Sequence, residues 1–224
     1  GIARDATLKR MVKNGIGTGQ DWGLPVAAET YDGELNDING FHVTDAHVFE
    51  ALDSAASGPI ELGSVGGGTG MICYDYKGGS GSASRLVRIG GAEFAVGVFV
   101  QASFGLREEL TILGRNIGGI NLEGRLRHKP VGSIIAIVAT DAPLMPHQLK
   151  RLARRVPMGL ARTGTVGHHG SGDLFLAFST ANEMALSGRS SEFQILPPAS
   201  IDPLFTAVAE ATEEAVIDSM VANV

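Results

Sequence analysis

The sequence predicts a layered α/β protein in which helices lie on the outside of packed β-sheets. Two observations support this class. Apolar segments of strand type alternate with helical segments along the chain. The longest strand signal, 132-GSIIAIVAT-140, is continuously apolar and therefore typical of a strand buried on both faces. Because 224 residues suffice for one sizeable core, we expect a single domain, 1–224.

The N-terminal third contains two predicted helices. The first spans 2–15 and ends at a glycine, and the second begins at Thr44 or Asp45, two residue types that cap helices. Between the helices, the apolar segment 24–28 predicts a strand. The segment 29–40 is rich in Asn, Asp and Gly, which is typical of a loop.

The middle and C-terminal parts alternate further strands with helices. A helix is predicted from Pro146 to about Arg162, and Pro157 is expected to kink or divide it. The segment 113–130, with four glycines and several basic residues, is predicted to be a mobile surface loop. The other predicted elements are strands at 71–76, 86–89, 94–102 and 173–180 and a final helix at 203–222, with glycine-rich turns at 63–71 and 78–82.

Charge and cysteine content exclude several classes of protein. The formal net charge of −6 provides no positive field for nucleic acid or an anionic membrane. No apolar run approaches the about 18 residues of a membrane span, and no signal peptide is recognisable. The single cysteine, Cys73, cannot form an internal disulfide, which favours the cytoplasm. A periplasmic location is also compatible, if a signal peptide precedes the sequence.

The segment 77-KGGSGSASR-85 is a candidate for self-cleavage chemistry. Glycine permits backbone geometries closed to other residues, and a hydroxyl residue directly follows Gly81. In such an arrangement the serine hydroxyl can attack the preceding carbonyl, and strain in a turn would assist it. The α-amine that cleavage releases has a pKa suited to a base. By itself, however, this spacing is more typical of a flexible Gly-Ser loop.

Other polar residues follow predicted strands. Thr140 and Asp141 come at the end of the buried strand, where functional groups are often presented, although Asp141 is equally suited to capping a turn. Ser171 and Asp173 lie in a glycine-rich loop before a strand, and we expect the same kind of role for them.

The sequence predicts no metal site and no cofactor. His168 and His169 are adjacent, so in a strand they point to opposite sides, and no third ligand follows at a recognised spacing. The run 66-GGGTG-70 lacks the Gly-Lys-Ser/Thr of a phosphate-binding loop. A Ser-His-Asp triad stays open as an alternative, which an N-terminal amine would make unnecessary.

Four segments together resemble the L-aminopeptidase/D-esterase and β-aminopeptidase family. They are 29-ETYDGELNDING-40, 67-GGTGMICYDYKGGSGSASR-85, 139-ATDAPLMPHQLKRLARR-155 and 170-GSGDLFLAFSTAN-182. The resemblance covers essentially the whole chain. It implies an αββα-type sandwich of the N-terminal-nucleophile hydrolase architecture, in a family whose members extend beyond both ends of this sequence.

The resemblance implies self-cleavage within a G-[ST]-x-S-R motif, which matches 81–85. The cut then falls between Gly81 and Ser82 and divides the chain into an α part, 1–81, and a β part, 82–224, with Ser82 as nucleophile. Ser80 and Ser84 are the rival positions. The family's oxyanion-hole asparagine is expected at Asn39, with Asn36 as the second choice; without the resemblance, both read as turn residues.

The implied activity is release of N-terminal amino acids from short peptides, amides or esters, with L-α, D- or β-amino acids all open. A carboxylate is expected to bind the substrate amine, and Glu29 and Asp32 are the candidates. The resemblance also implies a homo-oligomer of αβ units. Two other classes stay open: an acyltransferase of related fold, in which threonine is the usual nucleophile, and an inactive fragment or binding module.

Overall fold

The computed structural model describes residues 1–15, 22–120, 123–124, 131–182 and 193–223. The helices are α1 (Ile2–Lys13), α2 (Asp45–Asp53), α3 (Pro146–Ala153), α4 (Val156–Arg162) and α5 (Asp202–Val221). The strands are β1 (Ile72–Cys73), β2 (Tyr76–Lys77), β3 (Gly79–Ile89), β4 (Ala92–Ser103), β5 (Thr111–Ile112), β6 (Arg115–Asn116), β7 (Val131–Thr140), β8 (Gly170–Ser171) and β9 (Leu174–Ser179).

The main sheet has five strands in which β3, β4 and β7 are neighbours and both β8 and β9 pair with β7. The pairs β3–β4 and β4–β7 are antiparallel, whereas β8 and β9 run parallel to β7. Ser82 lies opposite Phe99, which lies opposite Ile137, so these three side chains share one face of the sheet. We call this the open face.

The other face of the sheet is covered by helices. Helix α5 packs on β3 and β4, and α4 packs against α5. Alternate residues of β4 and β7 point into this layer and are fully buried, which satisfies the period of two expected for a strand with one buried face. The core residues contributed by these two strands and by α5 include Val96, Val98, Val100, Ile134, Ala136, Val138, Leu204, Val208 and Val216.

The open face is also apolar over β7 and β9, but only half covered within the described ranges. Ile135 and Ile137 are half-buried, and Leu174, Leu176 and Phe178 are 51%, 45% and 43% exposed. The prediction that the strand at 132–140 is buried on both faces is therefore wrong for the described residues, since one face of β7 packs on helices and the other lies on the open face.

Several predicted elements are confirmed with small shifts. Thr44 caps α2, and the His47 side chain accepts a hydrogen bond from the Thr44 backbone N–H at 3.1 Å. Pro157 follows the break between α3 and α4, as expected of a residue without a backbone N–H. The predicted strand at 24–28 is wrong, because those residues form no ladder. Much of the loop predicted at 113–130 lies outside the described residues.

The described helices include none with the length and apolar character needed to cross a bilayer. The longest, α5, contains Asp202, Glu210, Glu213, Glu214 and Asp218 and packs one side on the sheet.

Candidate active site

The glycines around the predicted cleavage position lie in a strand rather than a turn. Gly79 and Gly81 belong to β3, and neither has a positive φ. A Cβ on Gly81 would overlap the carbonyl oxygen of Ala215 in α5 and lie 2.9 Å from the Ser219 Cβ. A Cβ on Gly79 would overlap the backbone of Gly63. The expectation of a strained turn at 78–82 is wrong, because these glycines serve close packing of backbone against backbone.

Three serines of β3 point to the open face. Ser80, Ser82 and Ser84 alternate with residues that face α5, in keeping with the period of two of a strand. Ser80 is buried and its hydroxyl lies 3.5 Å from the Val65 carbonyl oxygen, whereas Ser84 is exposed. Ser82 is half-buried, and its hydroxyl makes no hydrogen bond to any described residue. The exposure of Ser82 thus lies between that of Ser80 and that of Ser84, so its side chain is accessible but has packed neighbours.

The side-chain amide adjacent to these serines belongs to Gln101. Gln101 lies directly opposite Ser80 and diagonally to Ser82 in the β3–β4 ladder. Its Nε2 donates a hydrogen bond to the Thr30 hydroxyl. A Cβ on Gly67 would overlap the Gln101 Oε1, so the glycine loop packs on this amide. The sequence pattern offers one signal for this residue, which is a polar side chain on the otherwise apolar strand 94-FAVGVFVQA-102.

An extended segment at Thr30–Tyr31 crosses the same end of the open face. The Ser103 hydroxyl donates to the Tyr31 carbonyl oxygen at 3.0 Å, and the Ser133 hydroxyl accepts from the Tyr31 N–H at 3.0 Å. Both serines are buried. Two strands of the sheet therefore fix the segment that leads into the loop at 32–40.

The predicted oxyanion-hole residues lie in that loop, away from Ser82. Asn39 is exposed, and its side chain makes no hydrogen bond within the described ranges. Asn36 donates to the Asp32 carboxylate at 2.8 Å, and both lie beside Gly70. The structure therefore brings Asn36 close to the glycine loop but does not bring Asn39 into contact with Ser82.

Thr140 and Asp141 form structural hydrogen bonds at the other end of the sheet. The Thr140 hydroxyl donates to the Ala95 carbonyl oxygen at 2.6 Å, and the Asp141 carboxylate accepts from the Ala95 N–H at 2.8 Å. Thr140 is buried and lies opposite Val96, which points into the helical layer. Its side chain is on the opposite face of the sheet from Ser82.

Ser171 and Asp173 also point away from the open face. Ser171 pairs with Gly132 of β7, which strand alternation places on the face opposite Ser133, and a Cβ on Gly172 would lie 3.9 Å from the Ser133 Cβ. The Ser171 hydroxyl bonds to the Asp173 carboxylate. Nearby, His168 Nε2 lies 2.6 Å from Glu109 Oε1, which ties this loop to the segment after β4. His168, for which the sequence predicts no role in metal binding, thus pairs with the carboxylate of Glu109.

Lys77 holds the glycine loop together. Its Nζ donates to the carbonyl oxygens of Gly68, Met71 and Gly78 at 3.0, 3.2 and 2.6 Å. Burial lowers the pKa of this ammonium group. Three carbonyl dipoles directed at one cation fix the loop that leads into β3.

Within the described ranges, no three His, Cys, Asp or Glu side chains are grouped as metal ligands would be. The open face near Ser82 instead presents hydroxyls, one fixed amide and glycine backbone. This donor set suits polarisation of a carbonyl by hydrogen bonds.

Solved structures with this fold define the class of protein. The L-aminopeptidase D-Ala-esterase/amidase from Ochrobactrum anthropi, described as a variant of the Ntn hydrolase fold, matches with a TM-score of 0.92 and 48% identity over 99% of this chain. A β-aminopeptidase from Burkholderia sp. matches with a TM-score of 0.86 and 43% identity over 99% of this chain. The architecture is that of the N-terminal-nucleophile hydrolases, which confirms the predicted fold class.

The chain belongs to peptidase family S58, whose model matches residues 1–224. The β-peptidyl aminopeptidase BapA of Sphingosinicella microcystinivorans is 43% identical over 240 aligned residues, which cover 99% of this chain. These matches confirm the resemblance seen in the four segments. The chain spans 60% of the length of that relative, and 62% and 63% of the two solved structures.

Proposed function

We propose that this protein is a self-processing aminopeptidase that releases N-terminal amino acids from short peptides, amides or esters through an acyl-enzyme on Ser82. The observation that carries the proposal is the position of Ser82: it follows Gly81 in the matched motif and lies on the open face with a hydroxyl free of hydrogen bonds to the described residues. Membership of a peptidase family with an Ntn hydrolase fold supports the class of reaction.

Processing would proceed by an N-to-O acyl shift. Ser82 Oγ attacks the Gly81 carbonyl carbon, the Gly81–Ser82 C–N bond breaks, and the nitrogen takes up the hydroxyl proton to become a new α-amine. Water then hydrolyses the ester, leaving a carboxylate on Gly81 and a free hydroxyl on Ser82. Because the described β3 is a regular strand, the peptide must leave its extended geometry for the attack.

The cleavage products would stay associated for a structural reason. Gly79 and Gly81, on the α side, pair with Ala102 and Val100 of β4, while the β side from Ser82 onward continues along the same strand. Cleavage divides β3 but removes none of its partners. The α part, 1–81, and the β part, 82–224, would therefore form one domain.

Turnover would use the released amine as the base. The α-amine of Ser82 accepts the hydroxyl proton, Oγ attacks the substrate carbonyl, and the proton passes to the departing amine or alcohol. Water hydrolyses the resulting ester and regenerates Ser82. Of the two carboxylates proposed to bind the substrate amine, Asp32 is the better placed, because it packs beside Gly70 while Glu29 is exposed.

The relatives' names point to the range of substrates to test, including L-amino acid amides, D-alanine esters and β-peptides. Intact-mass measurement and hydrolysis of amino-acid p-nitroanilides should be compared for wild type, Ser82→Ala, Ser80→Ala and Ser84→Ala. We expect two chains and turnover in all except Ser82→Ala. Processing and turnover in Ser82→Ala, with loss of both in Ser80→Ala or Ser84→Ala, would transfer the nucleophile to that rival serine. Size-exclusion chromatography with light scattering tests the proposed homo-oligomer.

A further inference from the structure

Positive charge is concentrated in one part of this acidic chain. Residues 142–172 contain no Asp or Glu, whereas residues 14–76 contain no Lys or Arg. The basic residues within 142–172 are Lys150, Arg151, Arg154, Arg155 and Arg162. A formal net charge of −6 therefore does not describe every part of the surface.

Four of these cations lie together at the junction of α3 and α4. Lys150 and Arg151 occupy the last turn of α3, and Arg154 and Arg155 follow it with helical backbone angles. Helical residues four apart have Cβ atoms about 5–6 Å from each other, so the pairs 150/154 and 151/155 form two adjacent rows. We call these four residues the basic stripe.

One row of the basic stripe packs on an aromatic ring of α5. The Cζ atoms of Arg151 and Arg155 lie 5.0 and 3.9 Å from the centroid of the Phe205 ring. Both arginines are half-buried, whereas Lys150 and Arg154 are exposed. Because the ring holds the two planar guanidinium groups in place, they lose less conformational entropy when they bind an anion.

No carboxylate of the described residues neutralises the basic stripe. The carboxylates of α5 that form ion pairs do so with Arg85 and Arg162. Within the stripe, Arg155 donates to the Arg151 carbonyl oxygen at 3.3 Å, and Arg151 donates to no described residue. A guanidinium group carries five N–H donors, so this row keeps most of its donors for a ligand.

We propose that the basic stripe binds an acidic peptide segment, with Arg151 and Arg155 donating paired hydrogen bonds to its carboxylates and Lys150 and Arg154 adding charge at the rim. Alternate side chains of an extended peptide lie about 6.5 Å apart on one side, close to the spacing within each row. The stripe belongs to the helical layer and Ser82 to the open face, so this inference does not depend on the proposed function.

The small extent of the basic stripe favours a peptide over a nucleic acid or a membrane. Double-stranded DNA carries one charge per about 1.7 Å and extends far beyond four cations, over a surface that is acidic on balance. An anionic bilayer would likewise face many carboxylates. A short acidic segment places its charge on the stripe alone.

The test measures the fluorescence anisotropy of a labelled oligoglutamate peptide mixed with the protein at about 0.01 M and about 0.15 M salt. We expect saturable binding at the lower concentration and weaker binding at the higher one, because salt screens exposed charges. An oligoglutamine peptide of the same length should not bind. If oligoglutamate shows no saturable binding at low salt, the proposal is wrong.

Lys150→Gln combined with Arg154→Gln removes two exposed charges and leaves the stacked row intact. We expect Kd for oligoglutamate to rise by about 3–10-fold, as for the loss of two surface ion pairs. The matched control combines Arg88→Gln with Arg115→Gln, because both residues are exposed, lie outside the stripe and change the net charge equally. Equal effects in the two double variants would mean that binding follows net charge, which would contradict the stripe as the site.

Arg151→Lys separates the geometry of the guanidinium group from its charge. Lysine keeps the charge but cannot donate two parallel hydrogen bonds to one carboxylate, so we expect Kd to rise by about 2–10-fold. Wild-type affinity in this variant would contradict the role of the stacked row. Thermal melting identifies any variant that fails to fold. Tighter binding of a single-stranded oligonucleotide or of phosphatidylserine vesicles than of oligoglutamate would overturn the assignment of a peptide partner.

Discussion

Substitution of Gly81 by alanine should destabilise the protein strongly, because Gly81 forms the contact between β3 and α5. The new Cβ would overlap a backbone carbonyl oxygen, that of Ala215, and lie 2.9 Å from the Ser219 Cβ. Ser219 is fully buried. Neither neighbour can rotate away, since one is helix backbone and the other is a Cβ atom.

The magnitude follows from the shortfall in distance. Carbon atoms in good contact are about 3.5–4.0 Å apart, so α5 and β3 must separate by about 0.6–1 Å even to accommodate the Ser219 Cβ. Inserting a methyl group into a packed core lowers the free energy of unfolding by about 1–3 kcal/mol. Because the neighbours are rigid, we expect about 3 kcal/mol for Gly81→Ala. For a protein of this size that lowers Tm by about 6–12 °C.

Gly97→Ala is the matched control. Gly97 lies in β4 on the open face, and no atom comes within 4 Å of the position its Cβ would take. Alanine should therefore stabilise the strand by about 0.4–1 kcal/mol through the reduced entropy of the unfolded chain.

Both variants should be melted in a Ser82→Ala background, which by the proposed chemistry keeps the chain uncut, with circular dichroism as the probe. Equal melting temperatures for the two would refute the argument, because they would mean that Gly81 does not contact α5 closely.

Two further predictions concern charged residues. Arg107→Met removes the guanidinium that lies 3.4 Å from the buried Asp75 carboxylate. We expect the free energy of unfolding, measured in urea, to fall by about 3–5 kcal/mol, and Asp75→Asn to restore part of it in the double variant. A double variant without any restoration would contradict the pairing. Burial and the charge of Glu214 raise the pKa of Asp218, so its ionised form disfavours folding and stability falls as pH rises through that raised pKa. Asp218→Asn should therefore raise the free energy of unfolding at pH 7 by about 0.3–1 kcal/mol, because it removes a negative charge at the C-terminal end of α5 that solvent screens only in part. The gain should vanish below about pH 3, where the carboxyl is protonated in both the folded and the unfolded state. A gain that persists there would contradict the charge explanation.

Local chemistry made most of the secondary structure predictable. Thr44 at a helix start and Pro157 at a helix break act through their own backbone and side chains, so their effects are visible in the sequence. The alternation in β4 likewise reports burial against α5, and the apolar run of β7 reports the burial of one of its faces in the core. The family was recognisable because four separated segments agree with the same pattern.

The candidate site was less predictable because it depends on which strands become neighbours. Gly81 is needed for the approach of α5, which begins much later in the chain, at Asp202, and glycine-rich composition does not distinguish such packing from a strained turn. Gln101 becomes relevant only through the register of β3 with β4. Thr140 ends a strand, as a site residue often does, but its register opposite Val96 turns its side chain to the helical layer.

The position of the new N-terminus tests the central claim most directly. Tandem mass spectrometry of the purified protein should identify a chain that begins Ser82-Ala83-Ser84-Arg85 and a partner chain that ends at Gly81, while the Ser82→Ala protein stays a single chain. A new N-terminus at any other residue, or two chains in Ser82→Ala, would contradict the assignment of Ser82 as the nucleophile.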